Sequence, residues 1–144
     1  PPFAGVAPLS AIALTNDIAV VTAVGNDVGF DNVFARQMIA LARPGDVAVG
    51  ITTSGASPNV LAALEQAKKQ GLLTLGLAGY DGGKMARSGA VDYCIVVPGD
   101  HVPRIQEAQA TAYHALLEVV WAVLKTASDE EGNITGRSTV ERRL

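Results

Sequence analysis

The sequence predicts an α/β protein, a doubly wound parallel sheet with helices on both faces. Three observations point to it. The runs Val47–Ile51, Leu72–Leu77 and Tyr93–Val97 are apolar without alternation, as in strands buried on both sides. Segments with helical spacing of apolar residues lie between them. The chain has 144 residues, 49% of them apolar, enough to bury one sizeable core.

In chain order, Pro1 to Pro8 reads as a loop, opening at Pro1-Pro2-Phe3 without a Met. Ala11–Thr15 is short, apolar and bounded by Asn16-Asp17, the pattern of a buried strand. Ile18–Val24 is ambiguous: its β-branched residues favour a strand, while Asn16 or Asp17 could cap a short helix. Asp31 is placed to cap a helix over Asn32–Ala42, with Phe34, Met38 and Leu41 on one face and a stop at Pro44-Gly45. After strand 47–51, a helix over Pro58–Gln70 carries Val60, Leu61, Leu64 and Ala67 on one stripe and ends at Gly71, the left-handed position.

Strand 72–77 leads to the turn Gly79-Tyr80-Asp81-Gly82-Gly83 and a short helix around Lys84–Ser88, before strand 93–97 closes at Pro98-Gly99. Arg104–Lys125 reads as the longest helix. From Leu116 to Leu124 it is apolar nearly all round, more than one sheet face can cover, so an oligomer built on this helix is expected. The domain thus spans 1–127, and the polar, charged segment 128–144 reads as a mobile tail.

Composition narrows function. The formal net charge of −3 and the scattered Lys and Arg give no footprint for nucleic acid. Ala115–Leu124 is broken by Glu118 and too short to cross a bilayer, and no signal peptide is visible, so a soluble, cytoplasmic protein is expected. The single cysteine, Cys94, sits in an apolar run without a partner and reads as a buried small hydrophobe.

The most informative stretch is Gly50-Ile51-Thr52-Thr53-Ser54-Gly55-Ala56-Ser57-Pro58. Four hydroxyls, those of Thr52, Thr53, Ser54 and Ser57, fall between a buried strand and a helix start. Ser57 is a good N-cap and Pro58 suits the first helical position. The N–H groups of that first turn carry the positive end of the helix dipole, so an anion placed there meets backbone donors and hydroxyls together. No lysine follows as in a nucleotide-binding P-loop, which favours a small phosphoester over a nucleoside triphosphate. Taken alone, the same stretch also reads as an ordinary capped turn.

These residues resemble a known family. Arg43-Pro44-Gly45-Asp46, the loop 52–57, Gly79-Tyr80-Asp81-Gly82-Gly83-Lys84-Met85-Ala86 and Arg104-Ile105-Gln106-Glu107 look like the sugar isomerase (SIS) domain, and within it the phosphoheptose isomerase family. The resemblance covers about Ala11 to Leu124. It implies a flavodoxin-like sheet, a homotetramer packed through long helices, and isomerisation of sedoheptulose 7-phosphate to an aldoheptose phosphate on the way to surface heptose. It also favours a helix for Ile18–Val24.

Carried over by position, Thr52, Thr53, Ser54 and Ser57 would hold the phosphosugar, with Asn26 and Asp27 contacting it from the neighbouring loop. Gln106 would bind substrate and, with His114, a divalent metal, usually zinc; His114 matches a catalytic acid/base. Moving a proton between adjacent carbons through an enediolate needs a base near neutral pKa and positive charge beside the oxyanion. An imidazole suits the first role, although a lone His on an apolar helix also reads as a hydrogen-bonded core residue. Gln106 and His114 are eight residues apart, a helical rise of about 12 Å, near the limit for sharing one metal.

The sequence also departs from the family. A first βα unit, with a Gly-Asn-Gly-Gly-Ser loop and a His-x-x-x-Glu helix supplying two more metal ligands and a carboxylate, is absent from these residues. Its strand would lie inside the sheet, so the remaining strands should leave a gap, and we expect the unit to precede Pro1 in the intact protein. Ala56 stands where Asn is usual, and Gln109 where a second His is common. Two other readings remain open: a non-catalytic SIS protein resembling the replication-initiator-associating factor, and an SIS isomerase or binder of another phosphosugar. The former generally has Arg where this chain has Ser54 and lacks the counterpart of His114.

Overall fold

The structure is a computed structural model that describes residues 8–141. It divides into two compact units, 12–109 and a second made of 8–11 with 110–141. The first unit holds a three-stranded parallel sheet in the order β1-β2-β3, with β1 Val47–Thr52, β2 Leu73–Gly79 and β3 Tyr93–Val97. Val47 pairs with Leu73 and Thr52 with Ala78, while Leu75 pairs with Tyr93 and Gly79 with Val97. Helix α1 spans Ile18–Asp27, α2 Val33–Leu41, α3 Pro58–Lys69 and α4 Val102–Glu141.

Sequence periodicity located β1, β2, β3 and α3 to within about two residues. In α3 the expected stripe is the inner one. Leu64 and Ala67 are buried with Ala48 of β1 and Ala78 of β2, and Val60 and Leu61 pack beside them. Leu72 and Met85 complete that cluster. Gly71 takes φ 82°, ending α3 in the left-handed conformation. Helix α1 resolves the ambiguity over Ile18–Val24: Asp17 Oδ1 accepts a hydrogen bond from Val20 N at 3.1 Å, capping a helix rather than opening a strand.

Four expectations need correction. Ala11–Thr15 is irregular and turn-like instead of a strand, and mostly exposed. No described strand pairs with it, and the Leu14 carbonyl instead accepts from the Gln37 amide at 2.9 Å; a strand requires a partner as well as a composition. The three strands that do form are contiguous, so no gap lies between them. Asp31 does not cap α2 but lies inside a 3-10 turn, Phe30–Asn32, that leads into it. The fully buried residues of α2 are Val33, Ala35 and Gln37; of the expected face, Met38 packs on the core cluster and Phe34 is half-buried, while Leu41 is exposed.

Helix α4 begins at Val102, so Pro103 sits within its first turn, where a missing N–H costs no helical hydrogen bond. Its backbone is helical to Glu141, through most of the segment expected to be a tail; 142–144 lie outside the described residues. Helix α3 covers one face of the sheet. Ile105 of α4, 1% exposed, closes the other near Gly79, where Val47, Val49, Ile51 and Leu73 stay exposed along the rest. In the second unit, α4 shows Tyr113, Leu117, Val119 and Val123 to solvent, and Leu116, Val120 and Trp121 are half-buried. Among the described residues no helix is long and apolar enough to cross a membrane.

Candidate functional site

The hydroxyl-rich turn leaves β1 at its C-terminal end and enters α3, the place where open parallel sheets bind ligands. Thr52 is its hub. Its Oγ1 lies 2.7 Å from Ser57 Oγ and 3.3 Å from Ser54 Oγ, so three of the four expected hydroxyls form one cluster. Ser54 Oγ also accepts from Ala56 N at 3.2 Å. Ser57 occupies the N-cap position of α3, yet its side chain makes no cap bond to the helix and turns to Thr52 instead. In the first turn of α3 the Val60 N–H is taken instead by Asn59 Oδ1 at 2.9 Å, and the Ser57 hydroxyl stays with the cluster. Thr52 is 8% exposed and Ser54 is exposed, so the cluster runs from the sheet to the surface.

A second loop fixes the shape of the first. Gly79 N donates to the Thr53 carbonyl at 2.9 Å and Met85 N to the Gly55 carbonyl at 2.8 Å. Gly55 (φ 62°) and Gly83 (φ 55°) both take left-handed backbone, which L side chains resist. Asp81 braces this second loop: its carboxylate accepts from Gly83 N at 3.0 Å and from the Arg87 guanidinium at 3.2 Å. Those two bonds, the Gly83 one first, hold the Asp81 carboxyl below its usual pKa.

Helix α4 contributes a buried amide. Gln109, 4% exposed, donates from Nε2 to the Thr52 carbonyl at 3.2 Å. Gln106, one turn earlier on the same helix, is exposed and follows Ile105, which packs near Gly79. Sequence reasoning noted Gln109 only as a departure from the family. Its signal was an amide four residues after Ile105, on the same buried stripe.

The remaining expected residues are carried by α1 and α4. Asn26 and Asp27 end α1, both exposed, with the Asn26 amide donating to Asp27 Oδ1 at 2.8 Å. Helix α1 packs on α2 and on the 3-10 turn before it, and no described hydrogen bond joins Asn26 or Asp27 to the hydroxyl loop. His114 belongs to the second unit, exposed on α4, with its ring edge-on to Tyr113 at a centroid distance of 4.5 Å. Among the described residues no group of three or more His, Cys, Asp or Glu could hold a metal ion. Gln106 and His114 alone do not make a complete metal centre. Cys94 is half-buried, and burial raises its thiol pKa, as expected of an inert packing residue.

Residues 3–79, which include β1 and its hydroxyl turn, match the family model of the SIS domain. The chain belongs to the SIS-domain family. Its curated relatives include the phosphoheptose isomerase of Solidesulfovibrio magneticus, 53% identical over 78% of this chain and 54% of the relative. That of Geotalea daltonii is 54% identical over 78% of this chain and 57% of the relative. Among solved structures, the phosphoheptose isomerase of Neisseria gonorrhoeae superposes with a TM-score of 0.68 at 42% identity, covering 81% of this chain and 62% of that one. This SIS chain thus spans little more than half the length of the curated relatives it matches.

Proposed function

We propose that the protein acts as a phosphoheptose isomerase, converting sedoheptulose 7-phosphate to an aldoheptose 7-phosphate through an enediolate. The observation that carries this reading is the hydroxyl cluster of Thr52, Ser54 and Ser57 at the N-terminus of α3, in a chain whose relatives bear that name. The hydroxyls and the positive end of the α3 dipole grip the phosphate, with Thr53 lining the same turn. Anchoring the phosphate fixes the far end of the sugar, so binding energy away from the reacting carbons orients C1 and C2.

In this reading His114 removes a proton from C1 of the ketose and the enediolate is reprotonated at C2, giving the aldose with no net change in atoms. Gln106, Asn26 and Asp27 contact the sugar. Gln106 and His114, with two further ligands expected by the resemblance, would hold zinc or another divalent ion, which would supply positive charge beside the developing oxyanion. The exposed apolar residues of α4 support a homo-oligomer, a tetramer by resemblance, and the location is taken as cytoplasmic. The non-catalytic SIS alternative gains no support, since the relatives are named as isomerases.

Incubation of the intact protein with sedoheptulose 7-phosphate in deuterated water tests the reaction. The expected product is an aldoheptose phosphate carrying deuterium at C2. His114→Asn is expected to abolish that product while leaving the circular dichroism spectrum unchanged. Undiminished turnover in this variant would remove His114 from the mechanism.

A further inference from the structure

The geometry points to Gln109 as a positioning residue that holds the phosphate-gripping turn in its working shape without touching the ligand. The inference rests on the reading of that turn as a phosphosugar site. Consecutive carbonyls along an extended strand face opposite sides. Gly79 N of β2 takes the Thr53 carbonyl, so the Thr52 carbonyl faces away from β2, toward the side of β1 where no described strand pairs. A buried carbonyl there needs a donor. The Gln109 amide is that donor, at 3.2 Å, from a side chain only 4% exposed.

The bond matters because of what else Thr52 does. The same residue presents Oγ1 to Ser57 at 2.7 Å and to Ser54 at 3.3 Å, so rotating its peptide would displace the whole hydroxyl cluster. Two backbone bonds pin the turn from the side of the second loop, at Thr53 and Gly55. Gln109 pins it from the opposite side. It also fixes the first turns of α4 against the loop, and those turns carry Gln106.

The test compares three variants of the intact protein. Gln109→Met keeps length and volume but has no donor. Gln109→Glu sets an acceptor against the carbonyl, and Gln109→His restores an N–H donor. Affinity for inorganic phosphate is measured by calorimetry, kcat and KM with sedoheptulose 7-phosphate, and folding by thermal midpoint. Met and Glu are expected to weaken phosphate binding and raise KM by about tenfold each, with kcat changed by less than about threefold. His is expected to recover both to within about threefold of the parent.

Phosphate binding by the Met and Glu variants equal to the parent's overturns the proposal. So does a His variant as impaired as Met, which would reduce Gln109 to packing. Should Met fail to fold, the Glu and His pair makes the same comparison. A parent protein that binds phosphate yet leaves the sugar unchanged refutes the isomerase reading alone, and the phosphate arm still decides the role of Gln109. A parent that binds no phosphate sinks both.

Discussion

Gly55 lies against the carbonyl of Gly82 so closely that a β-carbon on Gly55 would sit 2.2 Å from that oxygen. The contact is reciprocal, for a β-carbon on Gly83 would come 2.4 Å from the Ser54 carbonyl. Two loops from the ends of adjacent parallel strands are thus interlocked backbone to backbone, and the outer one sets the curvature of the turn that carries the hydroxyls. Neither contact can relax by rotating a side chain, since the atoms involved are main chain.

Gly55→Ala is therefore expected to destabilise the protein by about 3 kcal/mol, combining left-handed strain with overpacking. Urea denaturation reads this directly. An alanine variant within about 0.5 kcal/mol of the parent would mean that the two loops separate at little cost.

Thr52→Val removes the hub hydroxyl and keeps the branched shape. Because Thr52 Oγ1 bonds Ser57 and Ser54, the variant should lose about tenfold in affinity for inorganic phosphate while its stability changes by about 1 kcal/mol. Equilibrium dialysis with radiolabelled phosphate measures the first effect and thermal melting the second. Equal affinity would show that the cluster serves the fold alone.

Acid should weaken the fold through Asp92. Its carboxylate takes the Lys68 ammonium from α3 and two bonds from Thr74, the backbone N–H at 3.0 Å and the hydroxyl at 2.9 Å. The Lys68 bond first, then those from Thr74, lowers the Asp92 pKa from 3.8 to about 2. A depressed carboxylate stabilises the folded state fully above its unfolded pKa, and that contribution disappears as pH falls through the folded value. The stability difference between the parent and Asp92→Asn should hold above pH 3.8 and shrink toward pH 2. A difference independent of pH across that interval would assign the effect to shape rather than charge.

The exposed valines of α4, Val119 at 60% and Val123 at 63%, should be covered in an oligomer. Light scattering at micromolar concentration is expected to give a multiple of the 14.8 kDa chain mass, and Val119→Glu with Val123→Glu to reduce it. A monomeric parent protein would remove the oligomer from this account.

Periodicity read the sheet well because β1, β2 and β3 are short, apolar and closed by turn residues. It read α3 for a similar reason, since Leu64 and Ala67 lie on one stripe. Ala11–Thr15 failed because pairing is not encoded within the segment, and Leu14 found a side-chain donor in Gln37 instead. Within the site, the hydroxyl turn was legible from residue types and its place between strand and helix. The Ser57–Thr52 bond was not, since a serine at an N-cap ordinarily bonds its own helix. Gln109 was missed because its partner is a carbonyl 57 positions away, and backbone acceptors leave no mark in a sequence.

The most direct test is calorimetric titration of sedoheptulose 7-phosphate into the parent protein and into Ser54→Phe, whose ring would fill the mouth of the turn. The account predicts saturable binding by the parent and a loss of at least about a hundredfold in the variant, with the thermal midpoint unchanged. Equal affinity in the two proteins would contradict it.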